Sequence, residues 1–237
     1  MTRARRRRAA GRPSAGDDRC LAGEPGTMAS AHTTSHIVLL GDSVFDNAAY
    51  VDGGPDVLAQ LRALLPTGWR ADSVAIDGSM IGDIPAQLER VPTSATHLVV
   101  SVGGNDALSR VDVLQAPVAS STEALQLLEA SVAEFGRAYR DMLAACRRLG
   151  RPAHVFTIYE GNFDDEAFCR AVRAAVAVYD DAIVRAARDF GFDVIELRDL
   201  CRSPEHFANP IEPSVAGGAR IARSIVTALR QRAPVRA

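Results

Sequence analysis

The sequence predicts an α/β fold of three layers, α/β/α, in which helices cover both faces of a doubly wound parallel sheet of five strands. Three observations carry this. Short apolar runs recur at 36–40, 72–76, 96–102, 153–158 and 193–197. Four of them are nearly continuous rather than alternating, as strands buried on both faces are. Helical stretches separate the runs, and that alternation builds parallel sheets through crossover connections. A chain of 237 residues, 47 % of them hydrophobic, is long enough for one sizeable core.

The first run, His36 to Leu40, leads directly into Gly41-Asp42-Ser43-Val44-Phe45-Asp46-Asn47. A strand thus delivers a serine onto a tight turn at its carboxyl end, where open α/β sheets place their chemistry. The second run leads into Asp77-Gly78-Ser79, and the third into Gly103-Gly104-Asn105-Asp106. Between 121 and 149, Leu125, Leu128, Val132, Phe135, Tyr139, Met142 and Cys146 recur every three or four residues, a single apolar stripe. Gly150 and Pro152 end that helix. The fourth run ends at Tyr159-Glu160-Gly161-Asn162-Phe163. Asp164-Asp165-Glu166 then suits a helix N-terminus, with Phe168, Val172, Val176 and Ile183 on the buried face. The last helix follows Ser214 as N-cap and buries Ile221, Ile225 and Leu229. His97 and His154 open strands at the opposite edge and are expected at the surface.

Composition narrows the function. Residues 1–27 hold seven arginines against Asp17, Asp18 and Glu24, a net of +4, which leaves −6 for the remainder of a chain whose total is −2. An acidic body argues against nucleic acid as its partner. Residues 1–34 read as a disordered, arginine-rich leader and 35–232 as the folded domain. No apolar stretch follows the arginines as in a signal peptide, and no run is long enough to span a membrane. Cys20, Cys146, Cys169 and Cys201 are too scattered for a zinc site or a disulfide framework, so a cytoplasmic setting without metal is expected. No phosphate-cradling glycine motif follows the first strand, so no nucleotide or flavin cofactor is expected. The sequence sets no oligomeric state.

The three turns carry the chemistry. The Ser43 and Gly78 N–H groups and the Asn105 amide make a three-donor hole for a tetrahedral oxyanion. Losing one such donor costs about 2.7–4 kcal/mol. In order and spacing, Gly41-Asp42-Ser43, Gly78 and Gly103-Gly104-Asn105-Asp106 are similar to the first three sequence blocks of the SGNH (GDSL-type) hydrolases. These are esterases, lipases and deacylases on a flavodoxin-like fold. The resemblance implies Ser43 as nucleophile, Gly78 and Asn105 as oxyanion stabilisers, and a small-molecule ester or acyl substrate. The family's fourth block, D-x-x-H-P, departs here. Asn209 stands at the aspartate position and Glu212 at the histidine position, ahead of Pro213.

Three readings of that departure stand open. Glu212 serves as base, oriented by Asn209; its ordinary pKa of about 4.3 against about 6.5 for imidazole makes it weak unless burial raises it. Alternatively, His206 swings in from upstream. Or the base is absent, and the domain binds an acyl or carbohydrate ligand without turning it over. Asp42, Asp46, Gly104, Tyr159 and Asn209 are the candidate substrate-contacting residues. Two plainer readings compete: Ser43 as a helix cap, and Glu212 as a first-turn acid on the last helix's dipole.

Overall fold

Five parallel strands form one sheet in the computed structural model, which describes residues 34–231; the leader expected over 1–34, save Thr34, lies outside the described residues. The strands are β1 (Ser35–Gly41), β2 (Trp69–Ser73), β3 (His97–Ser101), β4 (Ala153–Phe156) and β5 (Asp193–Ile195), in the order β2-β1-β3-β4-β5. The helices are α1 (Val57–Leu64), α2 (Ile84–Glu89), α3 (Gly104–Leu108), α4 (Ser121–Arg148), α5 (Glu166–Phe190), α6 (Leu197–Leu200) and α7 (Val215–Gln231). The chain leaves β1 toward β2 on one side and returns to β3 on the other. The crevice between β1 and β3 is therefore the switch point at which such sheets bind ligands.

All seven residues of β1 are buried, and their alternation assigns them to two cores. Val38 and Leu40 join Leu98, Val100, Phe135, Tyr139, Leu143 and Ile183 under α4 and α5. Ile37 and Leu39 join Val99, Phe156, Leu61, Ile221 and Ile225 under α1 and α7.

Three details differ from the sequence expectation. β2 begins at Trp69 rather than 72: it is an edge strand with half-buried and exposed positions, so apolar continuity does not mark it. His154 is 1 % exposed rather than at the surface, because β4 is flanked by β3 and β5; its Nε2 lies 3.6 Å from an Asp193 carboxylate oxygen. Leu125 is 66 % exposed, so the start of α4 projects past the core. Among the described residues, no helix is long and apolar enough to cross a membrane.

Candidate active site

Gly41 ends β1 because nothing larger fits. Its φ is +137°, and a Cβ there would lie 1.7 Å from the Ser101 carbonyl oxygen. That close approach binds the Asp42 N–H to the same carbonyl at 3.1 Å. The chain then turns tightly. Phe45 and Asp46 N–H donate to the Asp42 carbonyl, and Val44 N–H to Asp42 Oδ1, all at 3.1 Å. Asp42 thus holds the turn that presents Ser43. The serine caps no regular helix: α1 is capped by Asp56, whose carboxylate accepts from Ala59 N–H at 2.6 Å.

Ser43 faces a cavity of about 980 Å³, counting its open mouth, which Asp42, Asn105, Gly104, Tyr159 and Glu212 also line. Glu212 is 4 % exposed, and its Oε2 has no hydrogen-bond partner among the described residues. Burial pushes the carboxyl from 4.5 up to about 7; hydrogen bonding from the Ser43 hydroxyl favours its ionised form and offsets only part of that, and Asp77 raises it further. Burial also pushes Asp42 up to about 7, against the Val44 N–H that favours its charge, with Glu212 adding repulsion. Two carboxyls flanking one serine therefore both titrate near neutrality.

The loop bearing Glu212 is fastened at many points. Asn209 Oδ1 accepts from the N–H groups of Ile211 and Glu212, both at 2.9 Å. Asn209 orients Glu212 through its backbone, not its carboxylate. Ala208 N–H donates to the Glu212 carbonyl at 2.8 Å, and the Tyr159 hydroxyl donates to the Ile211 carbonyl. Ser214 caps α7, its Oγ accepting from Gly217 N–H at 3.2 Å, so the helix does not need Glu212 as a capping acid.

Gly78 adopts φ +76° with open space where a side chain would be. The loop around it is pinned on both sides. Asp77 N–H donates to Asp46 Oδ2 at 2.9 Å, Asn105 Nδ2 donates to the Ser79 carbonyl at 3.0 Å, and Ile81 N–H donates to Asp106 Oδ2 at 3.0 Å. Ser43, Asn105 and Glu212 therefore share one cavity. Gly78 stands beside it, one residue from the carbonyl that Asn105 grips, without lining it. His206 is not among the lining residues. Its Nδ1 accepts from the N–H groups of Arg202 and Ser203 at 3.2 and 3.3 Å, which closes a local turn.

Two residues escaped the sequence reading. Gln87, 1 % exposed on α2, accepts from Gly41 N–H and donates to the Gly41 carbonyl, both at 2.8 Å, and donates to Ser79 Oγ at 3.1 Å. It clamps the end of β1 to the Gly78 loop. Asn47, fully buried, donates to the Pro213 carbonyl at 3.1 Å and accepts from Val57 N–H at 3.0 Å, so it ties the serine turn to the Glu212 loop. A primary amide satisfies a backbone donor and acceptor together without burying charge. Neither residue carries a local signal, because each role exists only after distant segments meet.

No curated protein sequence matches the chain. Solved structures share its fold. An extracellular lipase from Streptomyces rimosus superposes with a TM-score of 0.64 at 19 % identity, covering 82 % of this chain and all of that one. A phospholipase A1 from Streptomyces albidoflavus gives 0.61 at 16 %, covering 82 % and 99 %. An acetylxylan esterase from Geobacillus stearothermophilus, as a catalytic mutant, gives 0.57 at 16 %, covering 81 % and 93 %. Residues 39–220 match the family model of the GDSL-like lipases and acylhydrolases, and the chain is a member of that family of ester hydrolases.

Proposed function

We propose that the protein is a serine esterase whose base is a carboxylate, with Ser43 as nucleophile and Glu212 as proton acceptor. The Ser43 and Gly78 N–H groups and the Asn105 amide hold the oxyanion. The observation that carries this reading is the buried Glu212 carboxyl, facing the Ser43 hydroxyl in a shared cavity and raised to about 7. That value is near the ordinary range of imidazole, so the carboxylate at this position matches the missing histidine in basicity at neutral pH.

The proposed reaction runs in two halves. As Ser43 Oγ bonds to the ester carbonyl carbon, its proton passes to Glu212, and the carbonyl oxygen takes the negative charge into the three-donor hole. Collapse expels the alcohol oxygen, which takes the proton from Glu212 and leaves an acyl-serine. Water then attacks the acyl carbon, giving one proton to Glu212. The second collapse releases the carboxylic acid as that proton returns to Ser43 Oγ. Each half-reaction restores the carboxylate.

Two observations support Glu212 over His206. The imidazole's Nδ1 is taken by backbone N–H groups, and its ring does not line the cavity. A fluorophosphonate probe tests both assignments at once. Wild type and His206→Ala are expected to label at Ser43 at similar rates, Glu212→Gln at least about a hundredfold more slowly, and Ser43→Ala not at all. Rapid labelling of Glu212→Gln together with loss of labelling in His206→Ala would transfer the role to the histidine.

A further inference from the structure

The cavity beside Ser43 is lined chiefly by α5 and by the segment 107–114. Phe168, Val172, Val176 and Tyr179 line it at spacings of three and four along one face of α5. From Phe168 to Tyr179 that face covers about 16 Å at 1.5 Å per residue. Leu128 of α4 contributes to the lining as well. The depth offers a ligand little polarity. The Tyr179 hydroxyl is already bonded to Ser131 Oγ at 2.7 Å. Arg110 and Glu160, charged residues on the wall, are engaged by Glu134 and Arg173, each at 2.8 Å. Outside the cavity the character reverses. Asp77 and the Tyr50 phenol stand within electrostatic reach of Glu212, and Asp46 accepts from the Asp77 N–H.

Resting on the nucleophile assigned above, we infer that the site takes esters of straight, medium-length fatty acids whose alcohol portion carries no negative charge. The acyl chain lies down the cavity along α5. At about 1.2 Å per backbone bond, that length of helix face takes an extended chain of about thirteen bonds, within which a twelve-carbon acyl group fits. An anionic alcohol portion, such as a phosphate, is repelled by the acidic groups that lie outside the cavity.

Chain-length kinetics test this. With p-nitrophenyl esters, kcat/KM is expected to rise by at least about a hundredfold from acetate to octanoate, since each buried methylene adds binding realised in the transition state. Val172→Phe, at a half-buried lining position, is expected to cut the octanoate-to-acetate ratio by about tenfold or more. The ratio is independent of how much of the variant is folded. Equal kcat/KM for acetate and octanoate, or an unchanged ratio in Val172→Phe, overturns the inference. Monooctanoylglycerol is expected to be cleaved at least about tenfold faster than its phosphorylated counterpart at low salt; equal rates overturn the alcohol half.

A binding measurement separates this inference from the catalytic reading. Titration of dodecanoate and of acetate into Ser43→Ala protein is expected to give tight and undetectable binding respectively. If that holds while wild type cleaves no ester, the nucleophile and base assignments fail and the acyl site stands. If both acids bind alike, the acyl site fails whatever the turnover.

Discussion

Replacing Glu212 by glutamine is expected to abolish turnover and yet stabilise the protein at alkaline pH. Glutamine keeps the volume and an acceptor for Ser43 but cannot ionise. The magnitude follows from the raised carboxyl. Below pH about 4.5 the group is protonated in both folded and unfolded chains and contributes nothing. Between about 4.5 and 7 the unfolded chain ionises first, so stability falls as pH rises. Above about 7 both states are ionised and the full penalty stands. A rise from 4.5 to about 7 corresponds to about 3 kcal/mol at 1.36 kcal/mol per unit, an upper bound because the cavity mouth admits water. For a domain of this size each kcal/mol moves Tm by about 2–4 °C, so up to about 6–12 °C of stabilisation is expected near pH 9 and almost none near pH 4. Thermal unfolding of the two proteins across that range is the assay. A variant no more stable than wild type at pH 9, or equally stabilised at both ends, would refute the buried-base argument.

With Glu212 as the proposed base, kcat/KM measured across pH 5–9 is expected to fall as pH drops through about 7, because protonated Glu212 cannot accept from Ser43; a profile flat through 7 would count against it. In Asp77→Asn an acceptor for the Tyr50 hydroxyl remains while a charge that raises Glu212 goes, so the midpoint of that profile is expected to move down; an upward or absent shift would break the proposed coupling. Gln87→Leu leaves the Gly41 N–H and the Ser79 hydroxyl without their partner, and the Gly41 carbonyl with the Ile76 N–H alone, at about 1–3 kcal/mol per unsatisfied buried group. Denaturant unfolding should register several kcal/mol, and kcat should fall more than KM rises, since the clamp positions the serine against Gly78. Unchanged stability would show that the clamp is dispensable.

The parts of the site that rest on local backbone chemistry were legible in the sequence. Gly41, Gly78 and Gly103 all have positive φ and mark the three turns, and a parallel sheet can bring strand ends together at one edge only. The continuous apolar runs identified the inner strands for the same reason. What stayed hidden depends on partners far away in the chain. β2 pairs along one side only, so its residues show no apolar run. His154 opens its strand and yet is covered by the strands on either side. Gln87 and Asn47 read as ordinary polar residues until Gly41, Ser79 and Pro213 arrive. The proposed preference for Glu212 over His206 rests on the path of residues 203–214, which follows from bonds to Tyr159 and Asn47 that no pattern within that segment encodes.

The commitment of Asn209 to the backbone has a chemical corollary. An imidazole that shuttles a proton needs a companion to fix which ring nitrogen carries hydrogen, whereas a carboxylate has two equivalent oxygens and no tautomer to select. With a glutamate as the proposed acceptor, the third member of a triad has no task, and the residue at that place shapes the chain instead. The proposed catalytic group is complete with two side chains. A histidine grafted at 212 would arrive with nothing to hold its ring.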